Sequence, residues 1–167
     1  MLHTTVFSSP LGGILLAEED GALCGLWFRG QKYERAGLPA GIVPGAAEES
    51  ETLRRAVRWL TRYFAQERPE RDFPLAPKGT AFQKRVWRAL EEIPMGETRS
   101  YGEIAAQLGC ASARAVGAAV GRNPISLIIP CHRVLGADGS LTGYAGGLDR
   151  KRALLRLEGR TEKGEAT

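Results

Sequence analysis

The apolar residues are grouped one way before the loop at 36–47 and another way after it, and this change of rhythm is what most restricts the fold. Ahead of the loop, short apolar stretches at 4–7, 13–17 and 23–28 are broken by Ser-Pro, Gly-Gly and Asp-Gly turn signals, a pattern of strands joined by tight turns. The loop itself is rich in Gly, Pro and Ala. Beyond it, Leu53, Ala56, Val57, Leu60, Tyr63 and Phe64 recur at helical spacing, which predicts one amphipathic helix over 48–65. A proline-containing connector at 69–77 then divides the chain.

The rest reads as helices with well-marked starts. Thr80 with Gln83 forms a capping box ahead of Phe82, Val86, Ala89, Leu90 and Ile93, and Ser100 with Glu103 repeats it for a helix to about 108. A turn at 109–111 and a cap at Ser112 predict a further helix to about 121, so two short helices meet in a helix-turn-helix pattern. A short buried strand is expected at 126–129 and a glycine-rich stretch at 136–147. The last helix is capped by Asp149, faces the core through Ala153, Leu154 and Leu157, and ends at Gly159. The expected class is α/β, of the segregated α+β kind. A small N-terminal β-sheet domain with one helix (1–77, connector included) precedes a mainly helical helix-turn-helix domain (78–160) and a frayed tail (161–167).

A chain of 167 residues can bury one sizeable core or two small subdomains that share an interface. No apolar run approaches the ~20 residues needed to span a bilayer and no secretory signal is present, so the expected location is cytoplasmic. The three cysteines, Cys24, Cys110 and Cys131, are odd in number and read as free thiols. With only His3 and His132 beside them and no CxxC pair, no metal site is expected. Charge is uneven. Residues 1–77 hold 9 Lys+Arg against 10 Asp+Glu, whereas 78–167 hold 14 against 9. A basic second half suits a polyanion such as nucleic acid, although an arginine-rich solvated surface would give the same count.

Cys131 closes an apolar run, between Pro130 and His132. A cysteine in such a place serves either as a small buried hydrophobe or as a nucleophile. Two neighbours favour the second role. His132 can take the thiol proton, and Glu158 sits at the end of a helix, where a carboxylate opposes the dipole and so calls for a tertiary partner. Nucleophile, base and orienting acid make up the logic of an activated cysteine. The second helix of the helix-turn-helix, SARAVGAAVGRN, carries Ala115, Gly117 and Ala118 where base-reading side chains would be expected; only Arg114 and Arg122 are long and basic. Small residues allow either close approach to a minor groove, with an arginine probing the base stack, or tight helix packing.

The segments FQKRVWRALEEIPMGETRSYGEIA, ARAVGAAVGRNP, IPCHRV and GYAGG followed by RALLRLEG stand in an order that resembles the O6-alkylguanine-DNA alkyltransferase (methylated-DNA–protein-cysteine methyltransferase) family over 80–158. The resemblance implies DNA repair by irreversible, single-turnover transfer of an alkyl group from O6-alkylguanine, and from O4-alkylthymine, to Cys131. The implied partner is double-stranded DNA gripped through its minor groove by a monomer, with no cofactor. His132 is implied as base through a bridging water, Glu158 as the acid orienting it, and Asn123 as the brace of the active-site turn. Tyr101 assists departure of guanine, and Arg114 fills the place of the flipped nucleotide. Tyr144 and the backbone around Val134 and Ala145 line the base pocket. Position 145 is Ala where many members have Ser, leaving only its N–H, and Ser126 replaces a pocket-lining Pro of some members, which bears on bulky alkyl groups.

The chemistry suits these residues. A thiol of pKa ~8.5 needs a base near neutral pH. Displacement at a saturated carbon needs a stabilised leaving group rather than an oxyanion hole. The product thioether resists hydrolysis, so the protein is consumed. Three other functions compete: a non-catalytic lesion binder, which carries Trp at the nucleophile position, a cysteine hydrolase, and a simple helix-turn-helix repressor.

Overall fold

The computed structural model describes residues 1–160. Three strands, β1 (Leu2–Ser9), β2 (Gly12–Glu19) and β3 (Ala22–Phe28), form an antiparallel meander in the order β1-β2-β3. Glu19 pairs with Ala22 across a two-residue turn in which Asp20 and Gly21 both have positive φ (52° and 85°), the conformation that makes Asp-Gly a hairpin signal. One sheet face, with Ile14, Leu16, Leu26 and Phe28, enters the main core. The other carries Leu15, Ala17, Cys24 and Trp27 and is covered by Leu2 and Leu38, so residues 14–17 of β2 are buried without alternation.

Helix α1 (Glu51–Phe64) starts where Ser50 accepts a hydrogen bond from the Leu53 N–H (3.2 Å), and lays Leu53, Ala56, Leu60 and Tyr63 into the core. The predicted start at 48 falls instead in a 3-10 turn, Ala47–Glu49. The exposed edge of β3 is occupied at two places. The connector docks at Leu23, through Leu23 N–H to Pro74 O (2.9 Å) and Ala76 N–H to Leu23 O (2.8 Å). The segment leading to Cys131 docks at Leu26, through Leu26 N–H to Pro124 O (2.8 Å) and Ser126 N–H to Leu26 O (2.9 Å). An edge otherwise open to pairing thus anchors the turn that carries Cys131.

Both capping boxes form, at the starts of α2 (Ala81–Glu91) and α3 (Tyr101–Gln107), and Ser112 caps α4 (Ala113–Gly121). Between α3 and α4 the chain turns through Gly109 at φ 66°. Helix α4 is fixed to α2 by the Trp87 indole N–H, which donates to Ala119 O (2.8 Å). One buried cluster runs from Leu16 and Leu60 to Val86, Ile104 and Leu154, so the two halves share a core. Among the described residues no helix is long and apolar enough to cross a membrane.

Three local expectations need correction. Residues 126–129 form a turn instead of a strand: only Ile125 makes a bridge, and Leu127 takes φ 70°. A two-stranded parallel pairing of β4 (Arg99–Ser100) with β5 (Val134–Leu135) lies within the helical half. Helix α5 (Leu148–Leu157) starts from Gly147 at φ 94° with no side-chain cap, and Asp149 sits inside its first turn. Its buried face is Lys151, Leu154, Leu155 and Glu158, rotated from the predicted Ala153, Leu154 and Leu157; Gly159 ends it at φ 93°. The tail at 161–167 lies outside the described residues.

Candidate active site

The turn after α4 is built around Asn123, whose amide does two jobs. Its Oδ1 accepts from Ile125 N–H (2.9 Å) and its Nδ2 donates to Ile129 O (2.8 Å), stapling a non-regular loop across its base. Ile129 O also accepts from Cys131 N–H (2.8 Å), which starts the 3-10 turn Cys131–Arg133. Cys131 is 5% exposed and lines a cavity of about 470 Å³. Burial pushes its thiol pKa up, while the Asn123 amide and the Lys151 charge pull it down.

Behind the thiol, His132 is fully buried and its Nε2 meets Glu158 Oε2 at 2.7 Å. Its other ring nitrogen, Nδ1, is buried with no protein hydrogen-bond partner. Burial pushes the imidazole pKa below its ordinary value in spite of the adjacent carboxylate, so the ring is neutral near pH 7. Glu158, the C-cap of α5, takes further donors: Tyr63 OH (2.5 Å to Oε2), Arg133 Nε (2.8 Å to Oε1) and Arg133 Nη2 (3.0 Å to Oε2). Burial alone would raise this carboxyl's pKa; His132 and Arg133 outweigh it and hold the group well below the usual carboxylate range. A surface ion pair at the helix end is therefore not what Glu158 makes.

Around the cavity, Tyr101 and Tyr144 face the thiol from opposite elements, α3 and the glycine-rich loop. Burial raises the pKa of both phenols, so each keeps its proton. Tyr101 OH donates to Thr142 O (3.2 Å), and the Tyr144 ring stands edge-on to His132 with centroids 6.5 Å apart. Gly117, Ala118 and Gly121 of α4 line the cavity, while Val116, Ala119 and Val120 of the same helix pack inward. The small-residue stripe borders open space at Gly121 and lies against the Tyr101 ring at Gly117, while Val120 both packs inward and reaches the cavity. Ala145 lines the cavity, but Val134 does not; it is buried in β5, paired with Arg99. Arg114 is exposed in the first turn of α4, next to Ala115. Arg122 sits at the cavity, its guanidinium 3.9 Å from the Tyr33 ring centroid.

Five contributors escape a reading of the sequence. Lys32 and Tyr33 reach the cavity from the N-terminal half, tied down by Lys32 N–H to Ala145 O (3.0 Å). Lys151 is fully buried and its ammonium donates to Thr142 O (2.8 Å) and Gly143 O (3.1 Å), fixing the loop that carries Tyr144; burial lowers its pKa to about 8. Tyr63 and Arg133 hold Glu158. The spacing of Lys151, Leu154, Leu155 and Glu158 was an available signal, since i, i+3, i+4, i+7 is one helix face. Among the described residues, no group of three or more His, Cys, Asp or Glu could hold a metal ion.

Residues 2–77 match the model of the 6-O-methylguanine DNA methyltransferase ribonuclease-like domain, and 81–160 that of the 6-O-methylguanine DNA methyltransferase DNA-binding domain. A methylated-DNA–protein-cysteine methyltransferase of Methanosarcina acetivorans is 52% identical over 160 residues, covering 95% of this chain and 99% of the relative. The crystal structure of Mycobacterium tuberculosis O6-methylguanine methyltransferase superposes with a TM-score of 0.80 at 51% identity, covering 95% of this chain and 93% of that one. A structure of the M. tuberculosis protein in complex with DNA gives a TM-score of 0.82 at 49% identity, covering 93% and 92%. Agreement in both halves, in sequence and in fold, leads to one conclusion: this chain belongs to the 6-O-methylguanine DNA methyltransferase family.

Proposed function

We propose that the chain repairs DNA by taking the alkyl group of O6-alkylguanine onto Cys131, once per molecule. The observation that carries this is a cysteine at the wall of a base-sized cavity, backed by a buried histidine–carboxylate pair. The lesion lies inside the stacked duplex, so its nucleotide must be flipped out at a cost of a few kcal/mol. Helix α4 offers its open small-residue face to the minor groove, and Arg114 takes the vacated place. In the cavity, His132 Nδ1 receives the thiol proton through a water, with Glu158 fixing the ring through Nε2. The sulfur attacks the alkyl carbon, the S–C bond forms as the C–O6 bond breaks, and the electron pair leaves on O6. Tyr101, held protonated, supplies a proton or hydrogen bond to the departing guanine. Asn123 and Lys151 keep the turn and the loop in place.

The reading divides the molecule at residue 77, with the helical half engaging DNA as a monomer in the cytoplasm and no cofactor. A thioether on a buried carbon has no route to hydrolysis, so the reaction ends with the protein modified. The test is intact mass after incubation with duplex DNA containing O6-methylguanine. A gain of ~14 Da on Cys131, and none on Cys24 or Cys110, is expected for nucleophilic transfer. Cys131→Ser should bind the duplex without accepting the methyl. Repeated turnover with unchanged mass would show a hydrolase instead.

A further inference from the structure

Tyr63 belongs to α1, in the N-terminal half, yet its hydroxyl lies 2.5 Å from Glu158 Oε2, the same oxygen that meets His132 Nε2. The residue is fully buried, stacked on Trp59 (5.2 Å between centroids, 9° between planes) and edge-on to Phe64 (5.3 Å, 89°). A phenol clamped by two aromatic neighbours has one place to put its proton. Burial and the Glu158 charge push its pKa far above the ordinary phenol range, so it is a permanent donor.

We propose that Tyr63 is a positioning residue of the transfer reaction: its hydroxyl fixes the Glu158 carboxylate and draws off part of its charge, leaving the His132 imidazole unprotonated and able to accept the thiol proton. The inference rests on the proposed role of His132 as base. The groups that act on His132 are Glu158 and Lys151 from α5 and Arg133 on its own turn, with Tyr144 of the glycine-rich loop edge-on to the ring and Tyr63 of α1 reaching it through Glu158. Of these, Arg133 neutralises the carboxylate mainly at Oε1, and only Tyr63 adds an uncharged donor at the oxygen His132 uses. Without that donor, Oε2 carries more negative charge and favours the imidazolium. The N-terminal half thereby sets the protonation of a base that lies in the other half.

The sign can be tested without DNA. The rate at which Cys131 is alkylated by iodoacetamide, read by peptide mass, is followed against pH, beside the NMR titration of His132 in a His3→Gln background that leaves one imidazole. Tyr63→Phe keeps the ring stacking and should raise both midpoints, by about half a pH unit or more. Site-specific 3-fluorotyrosine at position 63, a stronger donor, should lower them. Opposite shifts are the expected result; midpoints that stay put in both variants, or a uniform loss of rate with an unmoved profile, would overturn the proposal. A failed methyl gain by the unaltered protein on methylated duplex would instead refute the transfer reading, an outcome independent of these shifts.

Discussion

Glu158→Gln is the most searching perturbation of the site because four hydrogen bonds end on that one carboxylate. Glutamine keeps one acceptor oxygen and turns the other into an N–H₂ facing donors. Arg133, 10% exposed in its side chain, is then a buried charge without a counter-ion. Breaking a buried pair in this way costs ~3–5 kcal/mol. In a protein of this size each kcal/mol lowers Tm by about 2–4 °C, so a fall of roughly 6–20 °C is expected. The pH dependence fixes the cause. A carboxyl whose folded pKa is depressed contributes fully above the unfolded value of ~4.3, and loses that contribution as pH falls through the folded one. Melting curves of the two proteins should therefore be far apart at pH 7, begin to converge only as pH falls below ~4.3, and meet toward the folded pKa well below that. The variant's alkylation profile should also move to lower pH, because the imidazole has lost the charge that favours its protonated form. A loss under ~1 kcal/mol that is constant with pH, with an unmoved profile, is what an ordinary surface pair gives, and would refute the reasoning.

Arg114→Ala should slow repair within duplex DNA far more than reaction with a free O6-alkylguanine base, which needs no flipping; equal losses in the two rates would place Arg114 in support of the active site. Exhaustive chelation should leave activity and fold intact, checked by metal content and melting; one equivalent of zinc lost together with folding would overturn the metal-free reading and point to Cys24 and His3.

The legible parts of this molecule are those written in neighbouring residues. Caps at Thr80, Ser100 and Ser112 are local hydrogen bonds, so the sequence announces them and the structure makes them. Cys131, His132 and Glu158 could be proposed as a group from the motif they share with a family; the fold pairs His132 with Glu158 and sets Cys131 in the cavity wall. The buried face of α5 does not stand out in the apolar pattern because two of its four members, Lys151 and Glu158, are charged. Tyr63 reads as core because its ring is core; only the partner of its hydroxyl, far along the chain, gives it a second role. Val134 lies beside the motif yet faces the hydrophobic interior, and Lys32 and Tyr33 sit in a loop whose course no local pattern specifies.

The edge of β3 has a consequence for how the protein is made. Leu26 is synthesised long before Pro124 and Ser126, which it holds by two backbone hydrogen bonds. Until the ribosome has delivered those residues the Leu26 end of this edge has no segment to pair with, although the connector can already dock at Leu23, and contacts so distant in the chain close slowly. The thiol of Cys131 accordingly acquires its surroundings near the end of folding, when the helix carrying Glu158 has also arrived. Before those contacts close, Cys131 lacks both the hydrogen-bonded turn and the enclosing cavity that the folded chain gives it.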